Sequence, residues 1–378
     1  MIYFDNAATT LVKPKQVYWA VSAAMRTAAG AGRSGHRPAM HAGQLIYDCR
    51  EAVARLFRLD DCTRVIFTYN ATYALNLAIH ALCRTDTCAA VTGYEHNSVV
   101  RPLTERGTEY IVLESPLFDG AAMVTAAEKA IGLGANLFIV NHVSNVFGAV
   151  APLAALDALL TAHGIPMILD ASQSAGILDI DVSRYTSLAA VCMPGHKALY
   201  GPQGTGVLLA LSDELRAPLL QGGTGSVSSD IRQPDFLPDR FESGTLNAPG
   251  IAGLAEGVRF ILRVEQDTIL RRERKLLHAL AQGLRGVPGT EVFAADDERA
   301  QCGVLSFRRA DFACEGLAEA LAARGICVRA GLHCSPLAHR SAGTLASGTV
   351  RASVGYFNTM GEVERFTQEY ADIVKKKL

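Results

Sequence analysis

The sequence predicts an α/β protein with a mostly parallel sheet in a large domain, helices on both faces of that sheet, and a smaller α+β domain. Three observations carry this. Between residues 64 and 210, apolar runs of strand length alternate with helical stretches. The runs are continuously apolar rather than alternating, the mark of strands buried on both faces. The chain has 378 residues, 49% hydrophobic and 19% charged, which supplies a sizeable core, excludes disorder and suits two or three domains.

Taken in order, Val65–Thr68 reads as a strand and Ala71–Cys83 as the helix after it. Strands follow at Cys88–Thr92, Tyr110–Leu113, Leu137–Asn141, Met167–Asp170, Leu188–Cys192 and Gly206–Ala210, with helices at Ala122–Ile131 and Leu153–His163. The stretch 221–249 is polar and loop-rich, with Gly222-Gly223-Thr224-Gly225-Ser226 at its start and Gly244-Thr245-Leu246-Asn247-Ala248-Pro249 at its end. Beyond it, Ile251–Leu284 reads as one long helix or two consecutive ones. Val304–Phe307, the helix Glu315–Arg324, Val328 and the helix Gly361–Lys377 then make up the smaller domain.

Charge and cysteine content narrow the function. Lys+Arg 36 against Asp+Glu 37 offers no whole-chain field for nucleic acid or anionic lipid. No apolar run reaches the length of a membrane span. The start, Met1-Ile2-Tyr3-Phe4-Asp5-Asn6, lacks the layout of a signal peptide, so a cytoplasmic protein is expected. The nine cysteines include no Cys-x-x-Cys pair, which argues against a zinc ribbon and for small buried hydrophobes in a reducing compartment. No metal is expected.

Ligands of open α/β sheets gather at the carboxyl ends of the strands. Here those ends deliver Asn70-Ala71-Thr72, Glu95-His96-Asn97, Asn141 through Asn145, Asp170 with Gln173, and Gly195-His196-Lys197. The set suits an aromatic cofactor with a phosphate and a basic ring nitrogen. The helix start at Ala71-Thr72 offers backbone N–H groups and a hydroxyl to a phosphate. Asp170 pairs with a pyridine nitrogen, His96 stacks on the ring, and Lys197 joins an aldehyde. Pyridoxal phosphate needs each of these parts. Lys197 alone would read as a surface lysine, and His96 as a structural histidine. Their places after buried strands favour the cofactor. Gly201 through Gly206 precedes a strand and fits neither the P-loop nor the dinucleotide fingerprint, so it reads as a tight turn, and a nicotinamide oxidoreductase fits poorly. Lys375-Lys376-Lys377 reads as a solvated helix end. Arg33 and His36 either line the entrance or belong to a plain loop.

The strings DNAATT (5–10), HVSNVFG (142–148), LDASQSAG (169–176), GHKALYGPQGTG (195–206), FESGTLN (241–247), GLHCSP (331–336) and RASVGYFNT (351–359) are similar, in order and over nearly the whole chain, to the cysteine desulfurase and selenocysteine lyase family. Those are pyridoxal-phosphate enzymes of the class V aminotransferase group. The resemblance implies fold type I, with a large cofactor-binding domain over 15–250. It implies a small domain of 1–14 and 251–378 that carries the cysteine loop and the substrate arginine. Carried over, Lys197 matches the Schiff-base lysine, His96 the ring-stacking histidine, Asp170 the partner of the ring nitrogen, and Gln173 the neighbour of the ring hydroxyl. Asn145 matches an amide near cofactor and substrate. Ala71, Thr72 and His196 fall at the phosphate. Thr245 matches a threonine that reaches the phosphate of the neighbouring subunit, which implies a homodimer. Arg351 matches the arginine that holds the substrate carboxylate, and Cys334 the nucleophile that receives sulfur.

The physics of these roles is coherent. Arginine grips a carboxylate through a two-point fork. A free thiol is only a few per cent thiolate at neutral pH, and a nearby cation such as His333, or the protonated substrate, raises that fraction. The expected reaction converts L-cysteine to L-alanine and leaves a persulfide on Cys334, to be passed to a sulfur-acceptor protein. Selenocysteine lyase chemistry is the neighbouring alternative. A non-catalytic binding protein on the same fold is the alternative of another class, and transaminase chemistry leaves Cys334 without a use. Three positions depart from the family pattern: Pro194 where Ser or Thr precedes Gly-His-Lys, Leu332 in place of a histidine, and Tyr73 in place of an acid. Proline supplies neither hydroxyl nor N–H, so one phosphate contact is missing there.

Overall fold

The computed structural model describes residues 1–32 and 34–377, so Arg33 lies outside the described residues. The strands are β1 (Ile2–Tyr3), β2 (Val65–Thr68), β3 (Cys88–Thr92), β4 (Glu109–Leu113), β5 (Leu137–Asn141), β6 (Met167–Asp170), β7 (Leu188–Pro194), β8 (Gly206–Ala210), β9 (Thr290–Phe293), β10 (Val304–Arg309), β11 (Ile326–Cys327), β12 (Arg329–Gly331) and β13 (Thr349–Ser353). The helices are α1 (Lys15–Thr27), α2 (Arg37–Phe57), α3 (Ala71–Leu82), α4 (Asn97–Arg106), α5 (Gly120–Gly132), α6 (Leu153–Ala162), α7 (Ala248–Val264), α8 (Gln266–Arg285), α9 (Cys314–Ala322), α10 (Pro336–Ser341) and α11 (Met360–Lys377). The 251–284 stretch is thus two helices, broken at Glu265, whose φ of 71° no helix tolerates.

Seven strands form the central sheet in the order β2-β8-β7-β6-β5-β3-β4. All neighbours from β7 to β4 run parallel; β8 runs antiparallel to both β7 and β2. One face is packed by α2, α5, α6 and α7 through residues such as Ile46, Ala127, Leu156 and Leu254. The other is packed by α3 and α4 through Leu75, Ile79, Val99 and Leu103. Both faces are dry, which is why the strands read as unbroken apolar runs. A separate core of α8, α9, α11, β10 and β13, with Phe307, Phe366 and Tyr370 at its centre, holds the four-stranded antiparallel sheet β12-β13-β10-β9.

Two features aim this scaffold at one place. The first is a close approach. A side-chain carbon on Gly257 of α7 would lie 2.1 Å from the Leu199 carbonyl, so only glycine lets α7 press against the turn after Lys197. The second is the N-terminal strap. β1 pairs with β11, and Asp5 bridges to Ser353. Further along, the Thr10 N–H donates to the His196 carbonyl (3.0 Å) and the Thr10 hydroxyl to the Lys197 carbonyl (2.9 Å). The strap thereby ties the small sheet to the lysine turn. Among the described residues no helix is long and apolar enough to cross a membrane.

Candidate active site

The carboxyl ends of β2, β3, β5, β6 and β7 open onto a cavity of about 210 Å³. Ala71, Thr72, His96, Asn145, Asp170, Gln173, His196, Lys197, Cys334 and Arg351 all line it. Thr245 does not; it is exposed on the loop before α7. His36 lies elsewhere as well, as the N-cap of α2, where its Nδ1 accepts the Ala39 N–H at 3.3 Å.

At one end of the cavity α3 begins. Asn70 caps it by accepting the Tyr73 N–H (2.8 Å), and the first N–H groups of the helix have no intrahelical acceptor. The Thr72 hydroxyl stands beside them, 2.8 Å from the Ser98 hydroxyl. His196 is anchored through Nδ1 to the Thr9 hydroxyl at 3.1 Å. Pro194 is the last residue of β7 and lines this end with no polar atom to give beyond its carbonyl. Backbone N–H donors, a hydroxyl and an imidazole at a helix start are groups suited to an anion such as phosphate.

In the middle stand Asp170, His96 and Lys197. Asp170 ends β6 between Asn141 of β5 and Cys192 of β7, and accepts the Ser172 N–H at 2.9 Å. His96 caps α4, its Nδ1 accepting the Ser98 N–H at 3.0 Å, which leaves the ring proton on Nε2. Burial pulls the imidazole down to about 4; Asp170 opposes this, while Lys197, Arg329 and Arg101 add to it. The ring is therefore neutral at pH 7. Lys197 is partly accessible from the cavity yet enclosed by protein. Burial pulls its ammonium down to about 8, against the attraction of Asp170 and with help from Arg351 and Arg329. An amine tuned that far is a usable nucleophile and base near neutral pH. Gln173 is fixed by donating from Nε2 to the Ala7 carbonyl at 3.0 Å.

Arg351 enters from the small domain. It lies on β13, is 1% exposed, and sits in register between Ser306 of β10 and Arg329 of β12. Its Nη1 donates to the Asn145 carbonyl (2.9 Å) and its Nη2 to Asp5 (2.7 Å). Its Nε is buried with no partner among the described residues.

The Cys334 loop runs from β12 to α10. His333 and Cys334 both adopt left-handed backbone conformations, at φ 51° and 59°. The loop is held by the large domain. Asn145 donates from Nδ2 to the His333 carbonyl (2.8 Å) and accepts the Ser335 hydroxyl on Oδ1 (2.7 Å), while Asn97 N–H donates to the Cys334 carbonyl (2.8 Å). Asn145 thus clamps the loop rather than holding its amide free toward the cavity. Cys334 itself is exposed.

One expectation is corrected. His333 does not supply a cation to the thiol. It is buried, its Nε2 faces the Thr349 carbonyl at 3.2 Å, and its Nδ1 has no partner. Burial, with Arg351 and His339 beside it, pulls its imidazole down to about 2. The fixed cations of the cavity are Arg329 and Arg351. Sequence reading passed over Arg329, Ser98 and Asp5. Asp5 stood inside a quoted string, and its pairing with Arg351 spans nearly the whole chain. Arg329 sits two residues before Gly331, on a strand too short for a period-2 pattern to register.

Comparisons with known proteins bear on the family and the fold. The family described as aminotransferase class-V matches residues 2–366. A probable cysteine desulfurase of Pyrococcus abyssi is 32% identical over 99% of this chain and 94% of its own length. One from Methanothermobacter thermautotrophicus is 30% identical over 98% of this chain and 94% of its own length. Among solved structures, the apo cysteine desulfurase of Thermococcus onnurineus superposes with a TM-score of 0.90 at 32% identity, covering 99% of this chain and 95% of that one. An Escherichia coli cysteine desulfurase in its S-sulfonic acid form gives 0.85 at 25% identity, covering 99% of this chain and 94% of that one.

Proposed function

The chain belongs to the class-V aminotransferase family, and from that premise we propose that it is a pyridoxal-phosphate-dependent cysteine desulfurase, converting L-cysteine to L-alanine and passing the sulfur to Cys334. The observation that carries this is the meeting, in one cavity, of the Lys197 amine, the Arg351 side chain and an exposed thiol on a clamped loop. A class-V aminotransferase uses pyridoxal phosphate, and the residues present fit that group. The α3 start, Thr72 and His196 take the phosphate, Asp170 the ring nitrogen, His96 the ring face, and Lys197 the aldehyde.

When bound, the cofactor supplies an electron sink for the pair released at the substrate Cα. The protein's residues do the rest. Arg351 holds the substrate carboxylate and so fixes which bond at Cα faces Lys197. Lys197 Nζ takes the Cα proton, which its lowered basicity permits near neutral pH. The Cys334 thiolate attacks the substrate sulfur; an S–S bond forms, the Cβ–S bond breaks, the electron pair left on Cβ takes a proton, and Lys197 returns a proton to Cα to give alanine. A thiol carried by a two-residue left-handed turn on an exposed loop is placed to hand its sulfur onward to an acceptor protein.

Thr245 lies outside its own chain's cavity, which supports a homodimer in which each copy completes the other's phosphate site. All nine cysteines are free thiols, as a reducing cytoplasm would leave them. The test is to incubate the cofactor-loaded protein with L-cysteine and a reductant. Alanine and sulfide appear in equal amounts, and Lys197→Ala abolishes both. Keto-acid conversion without sulfide would overturn the reading, and faster turnover of selenocysteine with no dependence on Cys334 would move it to the lyase.

A further inference from the structure

We infer that Glu95 is a positioning residue that works as an uncharged acid, aligning the ends of β3 and β5 beneath the cavity while leaving Asp170 as the single carboxylate there. Glu95 follows β3, immediately before His96, and is fully buried. Its two oxygens are treated very differently. Oε1 accepts three hydrogen bonds: the Thr92 hydroxyl (2.8 Å), the Thr92 N–H (3.3 Å) and the Asn141 N–H (2.7 Å). Oε2 is buried with no partner among the described residues. A buried anion calls for donors on both oxygens, and half an unpartnered charge is expensive. A carboxylic acid calls for donors on its carbonyl oxygen alone; its O–H on the other goes unaccepted here, at a smaller cost than half a buried charge. The three-to-none split is that of an acid.

The charges around it agree. Asp170, from β6, is a like charge and disfavours a second anion. His96, from its own turn, is neutral. No lysine or arginine donates to Glu95 among the described residues. Asn141 Oδ1, on the residue whose N–H Glu95 accepts, is also buried with no partner among the described residues, so a negative charge beside it would find no donor there. Burial first, and Asp170 second, push the Glu95 carboxyl up to about 8, against the hydrogen bonds from Thr92 and Asn141, which favour the anion. The acid then outnumbers the anion about tenfold at pH 7.

The geometry matters to the site because Asn141 is Asp170's partner in the β5–β6 register and its side chain lines the cavity. Glu95 therefore pins the strand end next to Asp170 without adding to its charge. Only this last consequence rests on the cofactor reading; the protonation itself does not, so it is measured on the protein without cofactor.

The experiment compares wild type with Glu95→Gln, which keeps the acceptor and places an N–H donor where the acid has its O–H. A carboxyl whose folded value is raised stabilises the fold fully below its unfolded value, and that contribution is lost as pH rises through the folded one. Wild type therefore loses stability, relative to Glu95→Gln, from about pH 4.5 up to about pH 8, with the slope of one proton. Loaded with cofactor, the variant keeps its visible absorbance and, to within about threefold at pH 7, its rate. Parallel stability curves, or a loss of activity beyond about tenfold at pH 7, overturn the proposal. Should Glu95→Gln not fold, infrared difference spectra of Glu273→Gln serve instead, since burial also pushes Glu273 up to about 8 and this variant removes it. A protonated carboxyl band at pH 6 that vanishes above pH 9 is expected there, and its absence at pH 6 overturns the proposal.

Discussion

Asn145→Ala separates two roles for one side chain. In the structure both functional groups of the Asn145 amide go to the Cys334 loop, at 2.8 and 2.7 Å. Truncation leaves the His333 carbonyl and the Ser335 hydroxyl without those partners. At about 1–1.5 kcal/mol for each, the loss is roughly 2–3 kcal/mol. The loop also holds two left-handed non-glycine residues, each disfavoured by about 1 kcal/mol, which relax once the clamp is gone. If the whole of that free energy falls on the loop, the population able to take sulfur drops roughly 30- to 150-fold. The assay is the rate at which Cys334 gains sulfur from L-cysteine, followed by mass spectrometry, beside the visible absorbance and affinity of the cofactor. Slow sulfur gain with intact cofactor binding is expected. Loss of cofactor affinity by the same factor, with sulfur gain per loaded protein unchanged, refutes the clamp and returns Asn145 to the cofactor.

Two further outcomes follow from the same geometry. Because burial pulls Lys197 down to about 8, the free amine is scarce at pH 7, and the rate at which the cofactor-free protein takes up pyridoxal phosphate rises about tenfold between pH 7 and pH 9 before levelling; a flat stopped-flow profile contradicts this. Arg351→Gln removes a charge-assisted contact to the substrate carboxylate, about 1.5–3 kcal/mol, and lowers kcat/KM for L-cysteine roughly 10- to 150-fold, with the loss carried chiefly by KM; an unchanged KM assigns the carboxylate to the other cavity arginine, Arg329.

Much of the sheet was legible from residues alone, for one physical reason. Strands such as Leu137–Asn141 and Leu188–Cys192 are buried on both faces, and a continuous apolar run between turn signals leaves few alternatives. The polar residues that end those strands then pointed to the cavity. The N-terminal helices were not legible. α1 shows the solvent Tyr18, Trp19 and Met25, and α2 exposes Met40 and Tyr47, so their apolar residues do not mark a single buried stripe. The antiparallel course of β8 leaves no trace in composition, because both its faces are as dry as those of its parallel neighbours. Within the site, residues that act from one strand end were found. The long-range pairings were not: Asp5 against Arg351, Arg329 across from it, and the hold that Asn145, itself named from sequence, has on the cysteine loop. His333 was misjudged because titration depends on burial, and proximity to a cysteine in sequence says nothing about that.

The most direct measurement is the mass of the Cys334 peptide after the cofactor-loaded protein is given L-cysteine and quenched without reductant. One additional sulfur atom on Cys334, absent in Lys197→Ala and in protein given L-alanine, is the predicted result. An unmodified Cys334 alongside full alanine and sulfide release, unchanged in Cys334→Ala, would contradict the account.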